Sequence, residues 1–279
     1  MDGAVSTTAV ETGTDSGASD SADAAGRADT LDAVRPEAGG DVWDSASGEV
    51  SDGSVADGGP DAMTPSFTNP LSIDVHAYLQ SNTVKTTTTG GVVLTPVDGP
   101  GGGGRDFLTQ AEVAALNGAG TGLPDNAFFL NNGTTIPNVQ LAWTNSTNVN
   151  NSLVVVGNAG TSEAFAVPLA KYNQLQIYAT AGNGSIPLNV TLTYGSGNPL
   201  TATSALTIPD WCAAPTSLPA GVHALARAGR VKMAVFDPAL CNIYAIDLNP
   251  DPTRALAQFA FVAQGTATVY LVFYGATAW

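Results

Sequence analysis

The sequence predicts an all-β protein, an antiparallel sandwich or barrel with one short helix. Three observations carry that expectation. Apolar and polar residues alternate with a period of two through most of the chain after Asn150, the signature of half-buried strands. Turn-forming clusters such as Gly182-Asn183-Gly184, Gly195-Ser196-Gly197-Asn198-Pro199, Asn249-Pro250-Asp251-Pro252 and Gln264-Gly265 punctuate these runs at short intervals. Helical periodicity is almost absent, and many short strands with regular turns point to a closed or two-layered antiparallel architecture.

In chain order, residues 1–65 are expected to be a disordered acidic linker and residues 66–279 a folded β domain. Residues 1–62 hold 14 of the 24 acidic residues and 2 of the 9 basic ones, a net charge of −12 against −3 for the remainder. With one tryptophan (Trp43) and isolated Val and Leu, the linker cannot bury enough apolar area to offset an ordering cost of roughly 1–2 kcal/mol per residue. Its like-signed charge favours extension. It also repels phosphate, and no basic stripe elsewhere compensates, so nucleic acid is excluded as a partner. No run of 18 or more apolar residues occurs, so no transmembrane segment is expected.

Within the domain, Ile73–Leu79 and Val92–Val97 read as strands. The Gly-rich run Gly99–Gly104 lacks the lysine of a phosphate loop and reads as a flexible connector. Asp106–Leu116 is the helical candidate, with Thr109 and Glu112 spaced as a capping box. Strands are expected at Leu153–Val156, Phe165–Val167, Gln174–Tyr178, Leu188–Tyr194, Ala205–Ile208, Val231–Val235, Ile243–Ile246, Phe259–Val262 and Thr268–Phe273. Val222–Arg230 reads as a helical turn or a long loop. The only cysteines, Cys212 and Cys241, have two readings. One is a disulfide closing a loop of about 30 residues, worth on the order of 3 kcal/mol; the other is a pair of buried thiols. With His76 and His223 far apart in sequence, no zinc-ligand spacing is present.

The segment Gly122–Trp211 adds a resemblance. It contains Gly122-Leu123-Pro124-Asp125, Ile136-Pro137-Asn138-Val139-Gln140-Leu141-Ala142-Trp143, Phe165-Ala166-Val167-Pro168 with Tyr172, and Leu188–Tyr194 before a Gly-rich turn. It ends with Ile208-Pro209-Asp210-Trp211. This run is similar to the galactose-binding-like (discoidin-like) jelly rolls attached to bacterial extracellular glycosidases and surface proteins. Here Gly195-Ser196-Gly197-Asn198 stands where that family often has an Asp-Gly turn. The resemblance implies a jelly-roll sandwich that binds carbohydrate or another polymer through loops at one end, and it allows a structural Ca2+ near Asp98 or Asp125. No DxDxDG loop is present. Residues 1–65 likewise resemble the tether that follows the lipidated cysteine of surface lipoproteins in some Gram-negative bacteria. Met1 is followed directly by Asp2 and Gly3, so this reading expects an upstream leader and an extracellular or cell-surface location; the alternative is a cytosolic protein with an acidic tail. The Asn-x-Ser/Thr sequons would be glycan acceptors in a eukaryotic secretory pathway; in the bacterial protein that the tail composition points to, they are expected to reflect Asn/Thr-rich loops.

For a sugar-binding site, Trp143 and Trp211 are the candidate stacking platforms. Asp125, Asn131, Asn132, Asp210, Arg227 and Arg230 are the candidate hydrogen-bonding partners. Each has a structural alternative: Trp143 ends an apolar run and suits a core, Asp210 suits a backbone cap, and the arginines suit pairing with Asp237 or Asp247. No catalytic residue is expected, because no GxSxG, HExxH or paired-carboxylate spacing occurs. Two other functions compete with glycan binding. One is a self-assembling envelope protein using the apolar C-terminal strand Val269–Tyr274, which leads to Trp279. The other is an accessory domain of a secreted hydrolase.

Overall fold

A computed structural model describes residues 67, 69–87, 96–100, 104–145, 149–195, 200–213 and 217–279. The acidic linker and most of the expected strand Val92–Val97 lie outside them. In chain order the strands are β1 (Leu71–Ile73), β2 (Val84–Lys85), β3 (Arg105–Leu108), β4 (Phe128–Phe129), β5 (Val139–Gln140), β6 (Leu153–Val156), β7 (Ser162–Ala170), β8 (Leu175–Gly182), β9 (Ile186–Tyr194), β10 (Leu200–Ile208), β11 (Val222–Lys232), β12 (Val235–Leu248), β13 (Leu256–Ala263) and β14 (Tyr270–Ala278). Helix α1 (Gln110–Ala115) and a 3-10 turn at His76–Tyr78 are the helical elements among the described residues. The protein is all-β.

Two sheets hold most strands. The larger runs β1-β14-β8-β12-β11-β3-β2, with β6 also paired to β14, and the smaller runs β10-β9-β13-β7. The β2–β3 pair is parallel; every other pair is antiparallel. From β6 onward the chain passes repeatedly from one sheet to the other. β6, β8, β11, β12 and β14 lie in the large sheet, and β7, β9, β10 and β13 in the small one.

Period-two alternation explains the core between the sheets. In β9, Ile186, Leu188, Val190, Leu192 and Tyr194 are buried while Pro187, Asn189, Thr191 and Thr193 point outward. The centre is aromatic: Phe165 of β7 stacks on Phe259 of β13 at 4.9 Å and meets Phe273 of β14 at 4.8 Å. Each such phenyl contributes about 1.5–3 kcal/mol by burial.

β8 departs from simple alternation because all eight of its residues are buried. Leu175, Ile177, Ala179 and Ala181 face the small sheet. On the other face, Tyr178 joins Val272, Tyr274, Ile243 and Ala245 beneath a cover formed by Leu123, Phe129, Ile136, Val139, Leu141 and Trp143. The large sheet is therefore buried on both sides, and the irregular segment 123–143 serves as its second wall.

Several expectations are corrected. Val222–Arg230 is strand, not helix or loop: β11 pairs with β12, with register shifts at Ala224/Ala226 and Ala228/Arg230. The expected strand Val231–Val235 is instead the end of β11, a turn at Met233-Ala234 and the start of β12. The helix begins only at Gln110, because Asp106 and Phe107 are taken into β3 by pairing with Val231 and Arg230. Thr109 caps it as expected by accepting from the Glu112 N–H, but the Glu112 carboxylate pairs with Lys85 at 2.6 Å instead of reaching back. Ile73–Leu79 is strand only up to Ile73. The apolar C-terminal strand is not an exposed edge, since β14 lies between β8 on one side and β1 and β6 on the other, and Leu271–Ala278 are buried.

Candidate functional site

The residues expected to bind sugar are mostly structural. Trp143 and Trp211 are each 1% exposed and offer no face to a ligand. The burial follows from the cover over the large sheet, which places both indoles in its core. Trp143 donates to the Pro124 carbonyl at 2.8 Å, and Trp211 donates to Asp98 Oδ1 at 2.8 Å. Asp210 is a backbone cap, its Oδ1 accepting from the Cys212 and Ala213 N–H groups and its Oδ2 from Gly184. Asp125 accepts from the Ala111 N–H in the first turn of α1. Arg230 lies 5.5 Å over the Trp211 ring, pairs with Asp237 at 2.9 Å and contacts Cys212 Sγ. Arg227 is exposed and stands opposite Asn242 in the β11–β12 ladder. Cys212 and Cys241 are joined in a disulfide. Asp210, Trp211, Arg230 and the disulfide thus converge on one spot, as a clamp and not as a pocket.

Asn131 and Asn132 act at one remove from a groove. Asn132 Oδ1 accepts from the N–H groups of Thr134, Thr135 and Ile136, which folds the loop tightly, and Asn131 donates to Asn138. That loop is one wall of an open groove of about 310 Å³, completed by Phe67, Asn173, Gln174, His223, Asp247, Asn249 and Trp279. The groove sits at the end of the large sheet where β8 and β11 begin and β12 and β14 finish.

Its parts are held from below. The Trp279 backbone is fixed to the β7–β8 connection: its carbonyl accepts from Asn173 and Gln174 at 2.7 and 3.1 Å, and its N–H donates to the Gln174 carbonyl. Phe67 meets the indole edge-on at 5.5 Å. Asp247 is anchored on two sides, Oδ1 by Gln176 Nε2 at 2.7 Å and Oδ2 by His223 Nε2 at 3.0 Å. Gln176 also donates to the Thr135 carbonyl at 2.6 Å, which ties the loop to the carboxylate. The side chains of Asn173, Gln174 and Asn249 make no hydrogen bond to the described residues. Chemically the groove offers a partly exposed indole, a positioned carboxylate and amides able both to donate and to accept. A His–Asp pair is present, but no serine or cysteine is among the described lining residues.

No sequence signal marked this set as a site. Trp279 reads as the tail of an apolar strand and Asp247 as an arginine partner; only the fold brings residues 67, 134, 173, 223, 247 and 279 together.

Among the described residues no group of three or more His, Cys, Asp or Glu could hold a metal ion. The two carboxylates considered for Ca2+ do not converge. Asp98 is committed to Trp211, the Asn183 N–H and Arg105, and Asp125 to α1. Asp106 is a separate oddity. It is 2% exposed with Oδ1 unpartnered, and its pKa is raised to about 8. Burial is the main cause and the nearby Asp98 charge adds to it, while the Val97 N–H and Lys85 oppose the rise.

No protein-family model matches the chain, and no curated protein matches it in sequence.

Proposed function

We propose that this chain is a non-catalytic binding module that takes carbohydrate in the Trp279 groove. One observation carries the reading: a partly exposed tryptophan, clamped by its own backbone, borders three unspent amides and an anchored carboxylate. An indole face packs on the apolar side of a pyranose, and fixed amide and carboxylate groups bond its hydroxyls at low entropic cost. Both Asp247 oxygens are occupied, which suits orientation and hydrogen bonding better than proton abstraction.

The fold supports the same reading. We interpret the strand orders β6-β14-β8-β12 and β7-β13-β9-β10, with a chain that crosses between them, as a jelly-roll sandwich of the galactose-binding-like kind. The groove lies at one end of it. The acidic residues 1–65 suit a solvated tether, so display at a cell surface is part of the proposal. No described helix is long and apolar enough to cross a membrane.

Binding to a panel of immobilised polysaccharides tests this. Trp279→Ala and Asn173→Ala are expected to weaken binding about tenfold or more each, since tenfold corresponds to about 1.4 kcal/mol. Trp143→Phe and Trp211→Phe are expected to alter stability and leave the affinity of the folded fraction unchanged. Full binding in both groove variants would sink the assignment.

A further inference from the structure

Most edges of the two sheets carry features that discourage pairing. β1 and β2, at the ends of the large sheet, are three and two residues long. β7, at one edge of the small sheet, carries Glu163 and Pro168. Short length, charge and proline all discourage pairing with another chain. β10 has none of these. It is nine residues long, free of charge, proline and bulge, and paired to β9 in unbroken register. On its other side no described strand pairs with it.

The strand is also close to self-complementary. If two copies of β10 run antiparallel about Ser204, Ser204 meets itself, Thr203 meets Ala205, Thr201 meets Thr207 and Ala202 meets Leu206. Outward residues face outward residues, and threonines are suited to hydrogen-bonding across the seam, as Thr191 and Thr203 already do within this sheet at 3.2 Å. The inward side gains as well. Ala202, Ser204 and Leu206, with Leu192 and Leu248, border an open cleft of about 290 Å³ between β10 and the end of β12. A second strand would set its own Leu206 opposite Ala202, at the mouth of that cleft.

We infer that the free edge of β10 is a self-association surface whose occupant is β10 of a second copy of this chain, joining the two small sheets into one. The contact is two-fold and consumes the same edge on both copies, so assembly stops at a dimer. Asp247 and Asn249 border both this cleft and the Trp279 groove, but the strand-to-strand seam itself uses no groove residue.

Sedimentation of the full chain is expected to show a concentration-dependent doubling of mass. Ser204→Lys and Ser204→Glu each place like charges directly opposite one another, so each alone is expected to lose the dimer with an unchanged circular dichroism spectrum. An equimolar mixture of the two is expected to regain it. Hydrogen exchange on the unaltered protein gives a readout free of folding defects: the amides within Thr201–Thr207 that point away from β9 become more protected as concentration rises. A wild-type chain that stays monomeric without such protection, a dimer that persists in both charge variants, or a mixture that fails to recombine would each overturn the inference.

Discussion

Asp106 shows how one carboxyl can set the pH response of the whole domain. Its folded-state pKa of about 8 lies above the ordinary carboxylate value of 3.8. Below the unfolded value both states hold the proton and the fold pays nothing. As pH rises from about 4 towards 8, only the unfolded state releases the proton, so stability falls across that window by linkage. Asp106→Asn keeps the neutral form at every pH. It is expected to raise stability at neutral pH by a few kcal/mol and to flatten the pH dependence, read as urea midpoints at pH 5 and pH 8. At the same scale, Trp143→Ala is expected to cost about 3–5 kcal/mol, the range for an aromatic removed from a packed core, measured by chemical denaturation. The sequence shows where the tryptophans stand in apolar runs. It does not show that residues 123–143 fold back over the large sheet and cover them, and that long-range contact separates a core indole from a binding one.

At the scale of elements, apolar runs and alternation identified β6 and most of β9, about half of β8, β10, β13 and β14, and only short pieces of β7 and β12, because each of these stretches has one face, or both, turned to a core. It failed where turn chemistry was atypical. The β11–β12 hairpin turns through Met233 and Ala234, at φ of 50° and 61°, where Asn-Gly is the usual solution. With no glycine or asparagine to announce it, the turn was hidden inside an alternating run. Ala234→Gly removes the left-handed penalty and is expected to stabilise the hairpin by about 1 kcal/mol, seen as a higher melting temperature. Gly182 is the opposite case. A Cβ there would collide with the Val97 carbonyl oxygen, backbone that cannot swing aside. Gly182→Ala is expected to unfold the domain or lower its melting temperature sharply in a thermal scan.

For the whole molecule, the disulfide and the cover over the large sheet are the two long-range restraints. Cys212 and Cys241 are 29 residues apart in sequence and tie the start of the β10–β11 connection to the middle of β12. Opening that loop by the double substitution Cys212→Ser and Cys241→Ser is expected to cost about 3 kcal/mol in the chain-entropy description, checked by denaturation of both proteins without reductant. Nothing in the spacing of the two cysteines separated a bond from a pair of thiols; the β10–β11 connection lying against β12, where the Asn242 N–H donates to the Trp211 carbonyl at 2.7 Å, decides it.

The central place of β14 has a consequence for how the molecule comes into being. Among the described strands it is the last in chain order, yet β1, β6 and β8 all need it as a neighbour. The large sheet cannot close until β14 has been made, after every other described strand. Until then β1 and β6 have no partner strand, in the slow, non-local folding regime that also exposes a chain to aggregation.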